Sequence, residues 1–514
     1  VNYYLDENFR NEINIDFTKK INSKLSTLFS IHTDLFNKKI DENGDDFLDI
    51  PMVRNFNFLN KWKFENGKGF ISQNTIRFMN EERKAGQQQF DFSKDIADLS
   101  AWGQKLNSNR VEFYGRTGKV IPSAVFQSIG FQNAFTSHNQ QSYFGLRGYN
   151  IKQNSFYSNL IFNSIINNTM HKFATGLNFS YDKYQEFVNV NDYSRSDNSV
   201  GAFFEYTYDN DDNFSFIAGG RVDNHNRLGI FITPRLHIRY NPWEKAVLRV
   251  SAGRGKRTAN IFAENQPLLA SSRTFDILDT NGKIYGLDPE IAWNYGLSFN
   301  QKFKLFGKNA DAGFDFYKTD FTKQVVVDLY TAPAIPGTHQ VLFYNLNGKS
   351  YANSLQVDFN VEFVKHFDLR IAYKYYDIQT DFLSGRSERP LQAKHRFFAN
   401  LGYETFITEK DKQWRFDFTY NWMGQQKLPE TASNPIVDRL PVYSPSFSLM
   451  NAQITRTFSS TFEVYFGGEN IGNYQQEKAI VGSDNPFGST FDASIAYAPV
   501  FGQMYYAGLR FKIK

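Results

Sequence analysis

The sequence predicts an all-β protein, a 22-stranded antiparallel transmembrane β-barrel with short periplasmic turns and long extracellular loops. Three observations predict it. The first is MYYAGLRFKIK, Met504 to Lys514, an alternating segment with Tyr505, Ala507, Leu509, Phe511 and Ile513 on one face and Tyr506, Gly508, Arg510, Lys512 and Lys514 on the other. Left as an open edge, such a strand invites aggregation, and closing a barrel with it removes the edge. The second is composition: aromatics make up 17% of 514 residues, with 53 Phe and 29 Tyr, yet charged residues reach 21% and the chain is polar on average. Strands with one face in lipid and one in water need that mixture. The third is that the connections fall into two alternating length classes.

Alternating segments are read at 1–6, 11–19, 23–35, 52–64, 70–82, 108–116, 124–146, 153–166, 171–185, 198–209, 213–224, 229–240, 245–258, 290–305, 310–329, 339–363, 367–382, 392–407, 412–425, 446–458, 460–471 and 502–514. In LHIRY, Leu236, Ile238 and Tyr240 oppose His237 and Arg239; in AVLRVSAG, Leu248, Val250 and Ala252 oppose Arg249, Ser251 and Gly253. Of the 15 prolines, only Pro234 lies well inside such a segment.

The tight, polar connections are KINS at 20–23, ENGKG at 65–69, NNTM at 167–170, NPWE at 241–244, FGKN at 306–309, TEKD at 408–411 and FSS at 458–460. The long ones are 36–51, 83–107, 186–197, 259–289, 426–445 and 472–501. Short turns are periplasmic in outer-membrane barrels, so both termini are expected on the periplasmic side, with Trp243 and Trp414 in the aromatic girdle there. The last strand is expected to pair antiparallel with Val1 to Leu5.

Several classes are excluded. No run approaches the roughly 18–20 apolar residues of a spanning helix, and the net charge of +4 is spread without a basic block, so nucleic acid is not an expected partner. A soluble propeller would show a repeat motif, and none recurs. Zero cysteines suits an oxidising compartment. VNYYLDENFR has no basic-then-apolar signal pattern, so the chain reads as mature or trimmed.

DENGDDFLDIP at 41–51 followed by FNFLNKWKF, GRGKRTANIFAENQPLLASSR at 253–273, and ENIGNYQQ at 469–476 with the closing MYYAGLRFKIK carry a family resemblance. The chain resembles the barrel of a TonB-dependent outer-membrane receptor of the kind abundant in Bacteroidetes-type bacteria. The resemblance covers the whole chain, 1–514, as one barrel domain. It implies a Gram-negative outer membrane, lipid around the barrel, active uptake of a scarce solute, and coupling to the TonB–ExbB–ExbD system. Family barrels resemble a cylinder filled by an N-terminal plug preceded by a TonB box; neither is in this chain, and coupling is expected through that missing plug. Barrels this wide are plugged in known cases.

Candidate solutes are a ferric siderophore, another metal complex, cobalamin or an oligosaccharide. Two alternatives stay open: a structural or assembly subunit of a larger outer-membrane complex, with a surface lipoprotein or other subunits as partners, and a passive porin.

By the resemblance, solute arrives at the upper lumen. Arg254, Lys256 and Arg257, then Asn260, Glu264 and Arg273, lie at the outer end of one strand and along the loop after it. Several guanidinium groups near one mouth would attract carboxylate, catecholate or phosphate groups; the same residues could instead brace neighbouring loops. Tyr143, Phe144, Arg147, Tyr149 and Tyr157 offer stacking faces for a sugar or chelator. Asp41, Asn43, Asp45 and Asp49 have the alternating oxygen spacing of a calcium loop, so a structural calcium is a candidate cofactor. The match is incomplete, because Asp46 stands at the turn glycine and Met52 at the closing glutamate, and a solvated acidic loop tip is the other reading. The eight histidines are scattered without HExxH, and no GxSxG elbow occurs, so no enzyme activity is expected.

Overall fold

Twenty-two strands, each hydrogen-bonded to its neighbours in sequence, form the wall among the described residues. The structure is a computed structural model that describes every residue except 94–99, 336, 409–410 and 514. Parts of the expected loop at 83–107, the turn at 408–411 and the end of the closing strand lie outside the described residues.

In chain order the barrel strands are β1 Asn2–Asp6, β2 Asn11–Lys20, β3 Leu25–Phe36, β4 Met52–Glu65, β5 Phe70–Gly86, β6 Gly103–Ile121, β7 Ala124–Phe144, β8 Arg147–Ile166, β9 Asn168–Val188, β10 Arg195–Asp209, β11 Phe214–His225, β12 Gly229–Tyr240, β13 Ala246–Arg257, β14 Glu290–Leu305, β15 Lys308–Lys323, β16 Ser350–Val364, β17 Phe367–Phe382, β18 His395–Glu404, β19 Gln413–Met423, β20 Phe447–Ser459, β21 Phe462–Glu469 and β22 Met504–Phe511. Strand β22 pairs antiparallel with β21 and with β1, where Tyr4 stands opposite Gly508, so the barrel is closed without an edge. The Val1 nitrogen donates to the Phe511 carbonyl at 2.9 Å.

Alternation decides which face meets lipid. On β12 to β14, Ile232, Leu236, Val250 and Leu297 are 53%, 39%, 40% and 39% exposed, an apolar belt that only a bilayer would cover. The opposite parity on β12 and β13 is polar and faces the lumen: Thr233, Arg235, His237 and Arg239, then Arg249 and Ser251. Pro234 sits mid-strand opposite Gly220. Trp243 and Trp414 both lie exposed at the turn end, Trp414 under the Arg456 guanidinium at 4.8 Å.

The structure corrects several strand boundaries. The segment read at 310–329 leaves the wall at Lys323; Val325–Asp328 belongs to a separate three-stranded sheet with Gln340–Asn345 and Thr274–Ile277. The segment read at 339–363 is therefore two strands, divided where Gly348 takes φ +141°. Strands β5 and β6 are longer than read, and β7 and β9 reach 21 residues each. A tilted crossing needs about 9–11 residues, so these hairpins stand well clear of the membrane. The turn between β7 and β8 is tight although it lies at the loop-rich end: Gly145 has φ +57°, and a Cβ there would collide with the Trp102 indole.

Above the membrane the long connections do not spread into solvent. Phe47, Trp102, Ile261, Phe262, Leu287, Val341, Phe343 and Phe491 come from five different connections and share one apolar core. Phe47, Trp102 and Phe491 touch pairwise with ring centroids 5.9, 5.1 and 5.9 Å apart. This lid roofs the outer mouth.

Candidate functional site

The connection after β13 opens with a single helical turn, Ile261–Glu264, that buries Ile261 and Phe262 in the lid and leaves its polar side toward the wall. Arg257, at the end of β13, forks onto Glu264 with contacts of 3.1 and 2.8 Å and also pairs closely with Glu290 at the start of β14. Glu264 Oε1 accepts the Asn260 amide at 2.9 Å, so Arg257, Asn260 and Glu264 form one unit. Two carboxylates face this one guanidinium.

Asn260 leads to residues that the sequence did not single out. Its side-chain oxygen accepts from Arg195, which also contacts Glu186 at 3.2 Å, Asp197 at 3.1 Å and the Tyr285 hydroxyl at 2.8 Å, and lies over the Tyr184 ring at 4.0 Å. Glu186 is fully buried and accepts from Tyr149 at 3.0 Å and from Tyr285. Burial, reinforced by the Glu186 charge, raises the Tyr149 hydroxyl pKa far above its ordinary value, so Tyr149 acts here as a donor. The context of Arg195, NDYSRSD, looks like any solvated loop, and contacts with residues distant in sequence, Asn260 and Tyr285 among them, help to bury it.

Arg273 is buried against Asp492 at 2.8 Å and donates to the Gln340 carbonyl at 3.3 Å. Arg147 lies 5.5 Å over the Phe275 ring; burial lowers its pKa, with Asp492 partly offsetting the effect. Tyr143 packs on Phe90 at 6.3 Å. Arg254 shares the Phe231 ring with Lys256, at 4.6 and 4.7 Å. The structure thus joins Arg257, Asn260, Glu264 and Tyr149 into one network, places Arg273 and Arg147 elsewhere in the lid, and leaves Arg254 and Tyr143 apart.

In the loop at 41–49, Asp41 accepts the amides of Gly44, Asp45 and Asp46 at 2.8, 3.2 and 3.0 Å, and Asn43 and Asp45 accept those of Asp45 and Phe47. Asp49 Oδ2 accepts the Glu42 amide at 2.6 Å, while its Oδ1 is buried without a partner. Asp46 takes the left-handed turn, at φ +67°. Among the described residues no three His, Cys, Asp or Glu side chains converge as a metal-ligand set.

Beneath the helical turn a groove of about 600 Å³ runs between lid and wall. Its polar lining includes Arg257, Glu264, Glu290, Gln324, Ser350 and Thr380.

The TonB dependent receptor-like, β-barrel family model matches residues 28–471. The chain belongs to the TonB-dependent receptor family. As a TonB-dependent receptor barrel it is an outer-membrane transport receptor and not an enzyme, and it works with the TonB system. No curated protein sequence matches significantly.

Among solved structures this TonB-dependent barrel is similar to the ferric enterobactin receptor of Pseudomonas aeruginosa, with TM-score 0.71 and 11% identity over 100% of this chain and 80% of that one. It is similar to the siderophore receptor PirA of Acinetobacter baumannii, with TM-score 0.71 and 13% identity over 100% and 80%. The copper transporter OprC gives TM-score 0.74 and 11% identity over 99% and 79%. At such identities the likeness establishes the fold alone.

Proposed function

We propose that this TonB-dependent barrel takes up a compact metal complex, in the first place a ferric siderophore. The groove of about 600 Å³ under the lid carries the reading: it falls within the roughly 300–1,000 Å³ of small-molecule sites, and its lining alternates apolar walls with a few hydrogen-bonding groups. The solved neighbours named for ferric enterobactin, siderophore and copper support the same class of cargo. In this reading the lid holds the complex at the mouth, Arg257 and Glu264 orient it by hydrogen bonds, and TonB supplies the work that carries it inward.

The test is uptake of iron-labelled siderophores by cells that lack other ferric siderophore receptors and express the full-length gene, with and without TonB. Accumulation that needs both supports the proposal. Replacing Arg254 and Arg257 together with Ala is expected to weaken uptake while heat-modifiable barrel migration is retained. Equal iron accumulation with and without the receptor overturns it.

A further inference from the structure

At the turn end of β19 and β20, two arginines on neighbouring strands face opposite ways. Arg415 on β19 turns into the lumen and pairs with Glu463, a carboxylate it shares with Arg510. Arg456 on β20 has the parity of Ile454 and Phe458, both exposed on the lipid face. Ile454 pairs with Phe416 and Phe466, which are exposed in the same apolar belt. Arg456 therefore lies on the outside of the wall, where nothing that occupies the barrel interior reaches it.

The Arg456 guanidinium lies 4.8 Å over the indole of Trp414, the residue directly opposite, and 5.8 Å over the Phe458 ring. It has no hydrogen bond or ion pair among the described residues. Stacking occupies the flat face of a guanidinium and leaves its in-plane N–H donors free. The indole adds another donor. Trp62 and Trp243 direct their Nε1 hydrogens to Asn60 and Gln301 at 2.7 and 2.6 Å, whereas Trp414 Nε1 has no partner among the described residues. Trp414 is itself stacked on Phe416 with ring centroids 6.1 Å apart, so cation and indole are held in one place. That place is the periplasmic girdle, where the apolar belt gives way to headgroups. A phosphodiester there would accept two parallel N–H bonds from Arg456 and one from Trp414, with its acyl chains along Ile454, Phe416 and Phe466.

We propose that Arg456 and Trp414 hold the phosphate of an anionic phospholipid of the periplasmic leaflet, a fixed lipid site on the outside of the wall. The lipid charge neutralises a cation that has no carboxylate partner on the lipid side, while the lumen-side arginines beside it share Glu463. The site concerns the membrane and not the cargo, so it holds whichever solute is carried.

Native mass spectrometry of the detergent-solubilised full-length receptor, titrated with phosphatidylglycerol, counts bound lipid molecule by molecule. The wild type is expected to hold one phosphatidylglycerol more tightly than any further copy, and Arg456→Gln to hold it at least about tenfold more weakly, the loss expected for a charge-assisted contact. Trp414→Phe, which keeps a ring under the guanidinium and removes the indole N–H, is expected to weaken it about threefold. Arg415→Gln, which removes a lumen-side arginine, is expected to stay within about twofold. Heat-modifiable migration verifies folding; if Arg456→Gln does not fold, Trp414→Phe must show the loss. Equal affinity in wild type and folded Arg456→Gln, or phosphatidylcholine held as tightly as phosphatidylglycerol, overturns the proposal. Lipid A that displaces phosphatidylglycerol from the site also overturns it, because the occupant would then belong to the outer leaflet.

Discussion

Arg273 and Asp492, 219 positions apart, meet at 2.8 Å inside the lid with side chains only 2% and 0% exposed. The pair ties the connection after β13 to the connection before β22, and the neighbouring Ala493 amide donates to the Ala270 carbonyl at 2.9 Å. Arg273→Ala leaves a buried carboxylate unpaired and is expected to cost about 3–5 kcal/mol of lid stability. Faster limited proteolysis within 258–289 and 470–503, with barrel migration unchanged, is the expected result. Unchanged lid cleavage would show that the pair does not hold the roof.

Arg195 offers a second test in the same roof. Its removal leaves Glu186 fully buried with only hydroxyl donors from Tyr149 and Tyr285. Arg195→Met, which keeps much of the volume and removes the charge, is expected to loosen the lid by about 3 kcal/mol or more. Combining it with Glu186→Gln should restore part of that loss, and amide exchange across Thr274–Ile277 and Gln340–Asn345 reads both changes.

The Asp49 carboxyl is pushed up to about 6, chiefly by burial and then by the charges of Asp41, Asp45 and Glu42, against the donated Glu42 amide. A carboxyl whose pKa is higher folded than unfolded stabilises the fold below its ordinary 3.8 and loses that contribution as pH rises through about 6. The loop is therefore expected to be tighter at about pH 4 than at about pH 7.5. Asp49→Asn, fixed neutral, should reduce that difference, with the remainder carried by Asp45, whose pKa burial also raises. The rate of proteolysis within 37–50, corrected against an unstructured peptide of the same sequence, measures it.

Gly145→Ala places a side chain in the left-handed region and against Trp102, which packs on Phe47 and Phe491. A loss of about 1–3 kcal/mol is expected, confined to the lid. Tryptophan fluorescence of Trp102 in a variant with the other Trp residues replaced by Phe should shift to longer wavelength.

Deleting Met504 to Lys514 strips β1 and β21 of their common partner. Both edges would then sit in lipid with unpaired amides and carbonyls, at several kcal/mol each, so a folded heat-modifiable species is not expected from liposome refolding. A folded band would show that the wall can reclose on 21 strands.

The wall was legible because lipid and water on its two faces impose a strict period of two, which Leu236 to Tyr240 and Leu248 to Gly253 keep without error. Where the surroundings change, the period is lost: VLFY at 341–344 is a continuous apolar run, and all four of its side chains are buried in the lid. The glycine in NLNGKSY was the available signal for the break. The lid was not legible at all, since Arg195 and Tyr285 stand 90 positions apart and their contact depends on how distant loops fold together. Candidate residues chosen by charge at the mouth were therefore found at the mouth, and their partners came from elsewhere in the chain.

Phe47, Trp102 and Phe491 each belong to a different connection and each completes the apolar surface of the other two. Lifting one connection alone exposes the aromatic faces of the others to water, so partial opening is penalised more than its share of the contacts would imply. The lid should therefore open in a single concerted step, and amide exchange across its connections should report one common opening free energy.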